Sequence, residues 1–200
     1  MDAIKTQLHS VMLFAALGFL QILVGVGCAY KIGPGSRSIP GGHQQIAVPV
    51  FANRTQEVGI EMSFTNALVR EFQRSKIARV VDKPLAQARV EGSIDSIQYL
   101  PGAKRVAGDS SAQYLPSGTV VASEYRVLIR ASVRVINAAD GKTLWTGQFS
   151  GERTYAAPLV TIAGVNSVNP LYNLSARRQN IDVMANDMMI EAHDRITENF

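Results

Sequence analysis

Residues 124–137 read EYRVLIRASVRVIN, and this stretch decides the architecture. Tyr125, Val127, Ile129, Ala131, Val133 and Val135 occupy alternate positions, while Arg126, Arg130 and Arg134 occupy positions between them. A two-residue period puts the two sets on opposite faces of a strand, one apolar and one basic. Asp140-Gly141 follows as a turn signal, and Thr143 to Arg153 returns as the partner strand carrying Trp145 and Phe149.

Upstream, Arg89 to Tyr99 forms another strand, with Val90, Gly92 and Ile94 on one face and Glu91 and Asp95 on the other. The apolar parity shifts at Ile97 and Tyr99, which predicts a bulge. Ala78–Val81 is a short strand that ends at Asp82-Lys83-Pro84. Ile46–Phe51 alternates as a strand does, and Pro49, which cannot donate to a ladder, predicts an edge position or an irregularity there. Asn53 and Thr55 offer helix caps. Beyond them Ile60, Phe64, Leu68 and Phe72, with Ala67 beside them, form the stripe of an amphipathic helix. A second helix opens at Ser175 and buries Ile181, Ala185, Met188, Ala192 and Ile196. The expected fold is α+β: a two-layer sandwich with two helices packed on one face of a mostly antiparallel sheet.

The first residues have a different character. Val11–Val26 is apolar except for Gln21, with Lys5 before it and the small residues Gly25 and Gly27 at its end. This is the pattern of a secretory signal. Sixteen helical residues reach about 24 Å, short of the roughly 30 Å of a bilayer's hydrocarbon, so cleavage or lipid anchoring fits better than spanning. Cys28 follows at once, and Gly27-Cys28 resembles a bacterial lipobox, although Gly25 stands where an aliphatic residue is usual. The alternative is a signal whose cysteine is incidental. Ala29 after the cysteine, in place of the Asp that retains such proteins at the inner membrane, points to the outer one. The expected organisation is a signal over 1–27, a lipidated N-terminus and flexible Gly/Pro/Ser-rich tether over 28–44, and one domain over 45–200.

Composition bounds the partners. Twenty basic against 16 acidic residues give a net charge of +4, compatible with an anionic partner. No basic run is dense enough to suggest nucleic acid. The single cysteine excludes an intramolecular disulfide and a thiolate zinc site. His9, His43 and His193 fall in the signal, the tether and a helix, so no metal site or cofactor is expected. The sequence contains no nucleophile elbow, P-loop or dinucleotide fingerprint. Glu91 and Asp95, four strand residues apart, stand about 13 Å from each other, beyond the roughly 5–9.5 Å of paired-carboxylate glycosidases. No catalytic residues and no enzyme activity are expected. Asn53-Arg54-Thr55 and Asn173-Leu174-Ser175 match a glycosylation sequon by chance.

Arg126, Arg130 and Arg134 are the leading functional candidates, because guanidinium groups bind phosphates through planar, bidentate hydrogen bonds. The plainer reading is a solvated sheet face. Trp145 is open in the same way, as core or as partner contact. Lys142 lies at a hairpin tip. Lys104 and Arg105 lie in a long polar loop, 101–117, that is functional or a flexible hairpin tip.

Several of these segments in order resemble the lipopolysaccharide-assembly lipoproteins of the LptE family: Cys28-Ala-Tyr30, Ile46–Thr55 (IAVPVFANRT), Phe64–Phe72 (FTNALVREF), Val90–Ile94 (VEGSI), Glu124–Val127 and Gly141–Trp145. The resemblance implies a non-catalytic outer-membrane lipoprotein, facing the periplasm and held by its lipid anchor. It further implies a plug inside the β-barrel translocon that delivers lipopolysaccharide, assisting barrel assembly and contacting the glycolipid. The arginine stripe, Lys142, Lys104 and Arg105 are then candidates for lipid A phosphates. The alternative is an envelope lipoprotein that activates a peptidoglycan synthase or forms part of a secretion pore, since the strand with Asn-x-Thr followed by a helix also occurs there.

Overall fold

A computed structural model describes residues 37–106, 120–122, 124–156 and 170–198, without the side chains of 105–106, 120–121 and 170–173. Cys28 and the apolar leader lie outside the described residues. The elements in order are β1 (Gln45–Ala47), β2 (Ala52–Asn53), α1 (Ile60–Ser75), β3 (Arg79–Val80), a 3-10 turn (Lys83–Leu85), β4 (Ala88–Pro101), β5 (Lys104–Val106), β6 (Val120–Ala122), β7 (Glu124–Asn137), β8 (Thr143–Ala156) and α2 (Pro170–Thr197).

The expected α+β class holds. One six-stranded sheet runs β3-β1-β4-β7-β8, with β2 pairing β4 beyond the end of β1. β4, β7 and β8 form long antiparallel ladders, whereas β1, β2 and β3 pair in parallel. β5 and β6 prolong the β4–β7 ribbon as a two-stranded sheet, so part of the loop expected over 101–117 is hairpin arm. The interrupted pairing of 45–53 agrees with Pro49: β1 stops at Ala47, and β2 resumes the pairing with β4 at Ala52.

Both helices cover one face. All five predicted stripe residues of α1 are buried, as are the five of α2, joined there by Met184, Met189 and His193. Side-chain pairs Ser63–Asp182, Arg70–Asn186 and Ser75–His193 advance together along α1 and α2, so the helices run parallel. On β7 the odd-numbered residues Val127 to Val135 are buried beneath them, as the alternation requires. Trp145 is half-buried on this same face, tilted against Phe149 with ring centroids 6.3 Å apart. Packing is its observed role.

Three sequence readings change. Asn53 and Thr55 do not cap α1. Asn53 Oδ1 accepts from the Thr55 N–H (2.9 Å) and hydroxyl (2.8 Å), while its amide donates to the Glu57 carbonyl (2.7 Å) and Glu61 (2.9 Å). These residues build the turn before the helix, whose own N-cap is Gly59. α2 begins at Pro170, not Ser175, and the missing N–H of proline costs nothing in a first helical turn. Residues 37–39, within the stretch read as a tether, are held against the domain. Ile39 is 1% exposed, the Ser38 N–H donates to the Thr197 carbonyl (3.2 Å), and Arg37 pairs with Asp194 (2.9 Å).

His193 sits between the helices, 3% exposed, with Nε2 2.8 Å from Ser75 Oγ and its ring edge-on to Phe72 at 4.9 Å. Burial lowers its pKa below 6.5, outweighing the opposing Asp194 contact. A depressed folded pKa means the unfolded chain takes up the proton first, so stability is lost as pH falls below about 6.5. The stability advantage of the natural protein over His193→Gln is expected to shrink between pH 7.5 and 5 in urea melts. An advantage that stays level or grows on acidification refutes this.

Candidate functional site

The helices leave the other face of the sheet open, and its residues follow from the ladder register. Glu91 lies opposite Arg134, Ser93 opposite Ser132, Ser96 opposite Arg130 and Leu100 opposite Arg126. On the β8 side Arg126, Arg130 and Arg134 face Thr154, Ser150 and Thr146.

The predicted bulge falls between Ile94 and Ser96, and Asp95 is the extra residue. It returns Ile97 and Tyr99 to the helix-facing side, opposite Ile129 and Val127, while Asp95 stays on the open face with Glu91 and Ser93. There Asp95 Oδ1 accepts from Ser93 (2.7 Å) and Arg54 (3.5 Å), and Oδ2 accepts from Ser132. Arg54 is brought to this point by the pairing of Asn53 with Ile94 and by its own N–H, which donates to the Ile94 carbonyl (3.0 Å).

The three stripe arginines are exposed, as expected, but not equivalent. Arg134 pairs with Glu91 at 3.0 Å, and Glu91 also meets Arg89 at 3.4 Å. Arg126 pairs with Glu152 at 3.0 Å. Arg130 has no ion pair among the described residues. Lys142 and Lys104 are exposed at opposite ends of the long strands, roughly 45 Å apart at about 3.3 Å per residue. The structure does not bring them together. Arg105 lies on β5, its side chain outside the described part.

At the β5–β6 end the helix-facing side holds a second polar group. Tyr99 donates to Glu57 (2.7 Å), Arg177 of α2 pairs with Glu57 (3.3 Å), and its guanidinium lies 5.2 Å from the centre of the Tyr99 ring. Burial, then the Glu57 carboxylate, raises the Tyr99 pKa, and burial likewise raises that of Tyr155. The raised values favour the protonated phenols, and the group ties α2 to the sheet. Among the described residues no three His, Cys, Asp or Glu side chains gather as a metal site.

A model of the LptE family, described as lipopolysaccharide-assembly, matches residues 44–199. The chain belongs to the LptE family. The matched segment contains every strand and helix described above. Family membership makes this a lipopolysaccharide-assembly protein, and the ordered resemblance read from residues 46–145 is borne out. The match starts after Cys28. No curated protein sequence matches the chain. Among solved structures it is similar to the PelC dodecamer from Paraburkholderia phytofirmans (13% identity, 78% of this chain and 89% of that one, TM-score 0.44). It is also similar to the hypothetical protein CT253 from Chlamydia trachomatis (10%, 78% and 98%, TM-score 0.48) and the lipoprotein GNA1162 from Neisseria meningitidis (10%, 68% and 97%, TM-score 0.40).

Within this LptE-family domain, sequence reasoning missed Arg54. Its sequon context drew attention to Asn53, and nothing local signals that a parallel pairing with β4 carries the next side chain onto the open face. It also missed the acids Glu91 and Glu152 as partners of the stripe, because cross-strand register is invisible until the strands are aligned.

Proposed function

We propose that this protein is an outer-membrane lipoprotein, anchored through Cys28, that lodges in the β-barrel lipopolysaccharide translocon, assists its assembly and contacts lipopolysaccharide. The carrying observation is the LptE-family match across the whole folded domain. The physical form suits the role. One face of the sheet is sealed by helices into a rigid core, and the other is left as a broad polar surface carrying Arg126, Arg130 and Arg134. A plug needs a rigid body and an outer surface that a barrel lumen or an anionic glycolipid can meet. Arg126 and Arg134 already hold carboxylates, so the cations this reading offers to lipid A phosphates are Arg130 on the face and Lys142, Lys104 and Arg105 at its two ends. No chemical step is assigned to it. On the anchor, about 0.8 kcal/mol per buried methylene makes several acyl chains, palmitate among them, effectively permanent.

Affinity purification of the native protein from detergent-solubilised outer membranes, followed by mass spectrometry, tests this. The expected result is one large β-barrel in equal amount, carrying lipopolysaccharide. Recovery of a cell-wall synthase or of a ring of this chain alone would overturn the reading.

A further inference from the structure

On the open face, Arg54 and Arg130 line one cleft of about 510 Å³, together with Asp95, Ser132, Gln148 and Ser150. We infer that this cleft is a binding subsite for a phosphorylated sugar: Arg54 and Arg130 hold the phosphate, and Asp95 takes a neighbouring sugar hydroxyl. The inference rests on the lipopolysaccharide-contact reading above and localises it.

Three observations carry it. The first is charge. Arg126 and Arg134 each spend a guanidinium on a carboxylate at 3.0 Å, whereas Arg130 is unpaired among the described residues. Arg54 is held only by a long 3.5 Å contact, with its side chain 70% exposed. Arg130 and Arg54 can therefore turn to an incoming anion without breaking a close pair. Together with Asp95 they leave the cleft one net positive charge, enough to favour one anionic group.

The second is the carboxylate. An ionised carboxylate offers about four acceptor positions and no donor. Asp95 fills three, with Ser93, Ser132 and Arg54. The remaining position repels a second anion but accepts a hydroxyl. A fully ionised phosphate monoester has no donor and by itself gains nothing from Asp95, while one borne on a polyol gains a charge-assisted hydrogen bond through a hydroxyl.

The third is the wall. Ser150 and Gln148 are neutral groups that donate and accept, and Ser132, whose hydroxyl already donates to Asp95, can still accept, which suits the hydroxyls and amide of an amino sugar. Beneath them the strands form a rigid floor, so the groups are placed before the ligand arrives.

The test uses the full chain in detergent at about pH 8 and four probes: lipopolysaccharide, lipopolysaccharide dephosphorylated on lipid A, N-acetylglucosamine 1-phosphate and methyl phosphate, which at that pH has no hydrogen to donate. Arg54→Gln and Arg130→Gln are each expected to weaken lipopolysaccharide binding on the order of tenfold, the usual weight of a hydrogen bond to a charged group. Arg126→Gln is expected to change it less than about twofold, because the arginine is already paired. The dephosphorylated probe should bind all three variants and the natural protein alike. N-acetylglucosamine 1-phosphate should bind more tightly than methyl phosphate, and Asp95→Asn should narrow that gap. Equal losses for Arg126→Gln and Arg130→Gln would replace the subsite with a diffuse positive field. Unchanged binding in both cleft variants, or equal affinity for the two small probes, would also overturn it. None of these outcomes touches recovery of the barrel, so the subsite can fail while the assembly role stands. Far-ultraviolet circular dichroism melts of the surface variants keep loss of fold separate from loss of binding.

Discussion

Phe64→Ala is expected to lower unfolding stability by about 3–5 kcal/mol, the range for a large aromatic removed from a close-packed core. Phe64 is 0% exposed in the middle of the α1 stripe and meets the ring of Phe51 at 6.4 Å, tilted by 35°. Alanine would leave a void bordered by Phe51, which cannot fill it without leaving its own site. The Phe51 N–H donates to Thr65 Oγ1 (3.0 Å), and that hydroxyl donates onward to the Glu61 carbonyl (2.7 Å). A domain of this size commonly has only about 5–15 kcal/mol in hand, so the variant sits near its folding threshold at 37 °C. Urea melts followed by circular dichroism measure it. A loss under 1 kcal/mol would mean that the helix and the 48–53 segment close the void together.

Gly92→Ala is expected to cost about 3 kcal/mol, the upper part of the range for overpacking. Gly92 lies opposite Val133 on the helix-facing side, and the Phe51 ring rests on it. An added Cβ would stand 2.2–2.4 Å from three carbons of that ring, a distance no packed pair tolerates. Because the Phe51 backbone is tied to Thr65 and its ring packs on Phe64, the clash must push the 50–54 segment away from β4. Arg54 travels with that segment, so Gly92→Ala should also weaken lipopolysaccharide binding, although residue 92 faces away from the cleft. The discriminating measurement is the same substitution on a Phe51→Leu background, where the smaller side chain leaves room. The penalty should then fall by more than about 1 kcal/mol, the coupling expected of residues in direct contact. An undiminished penalty would trace the cost to the strand backbone and not to the ring.

Much of the fold was legible because it is written in local contrast. In residues 124–137 every second side chain is apolar, and no long-range knowledge is needed to know which face is buried. The α1 stripe is equally clear, since Ile60, Phe64, Leu68 and Phe72 recur at helical spacing. Even the bulge showed itself, as a shift of apolar parity at Ile97 and Tyr99. The open, arginine-bearing face follows from the same alternation. What the alternation cannot say is which arginine remains available.

That was decided by tertiary structure. Register alone places Glu91 opposite Arg134 and so removes that cation from the field; the diagonal reach of Glu152 to Arg126 removes another. The parallel docking of 52–53 beside β4 carries Arg54 to the bulge and to Arg130, 76 positions further along the chain. Each of these contacts joins residues whose separation in sequence holds no periodic signal. Gly92 is the sharpest case. Its identity in the sequence suggests only a weak point in a strand, and its need appears once Phe51 is seen lying on it. The sequence by itself therefore determined the layers, the buried face and the stripe, because hydrophobic burial reads out locally. The folded chain decided the cleft, because a cluster of charges depends on which strands lie side by side.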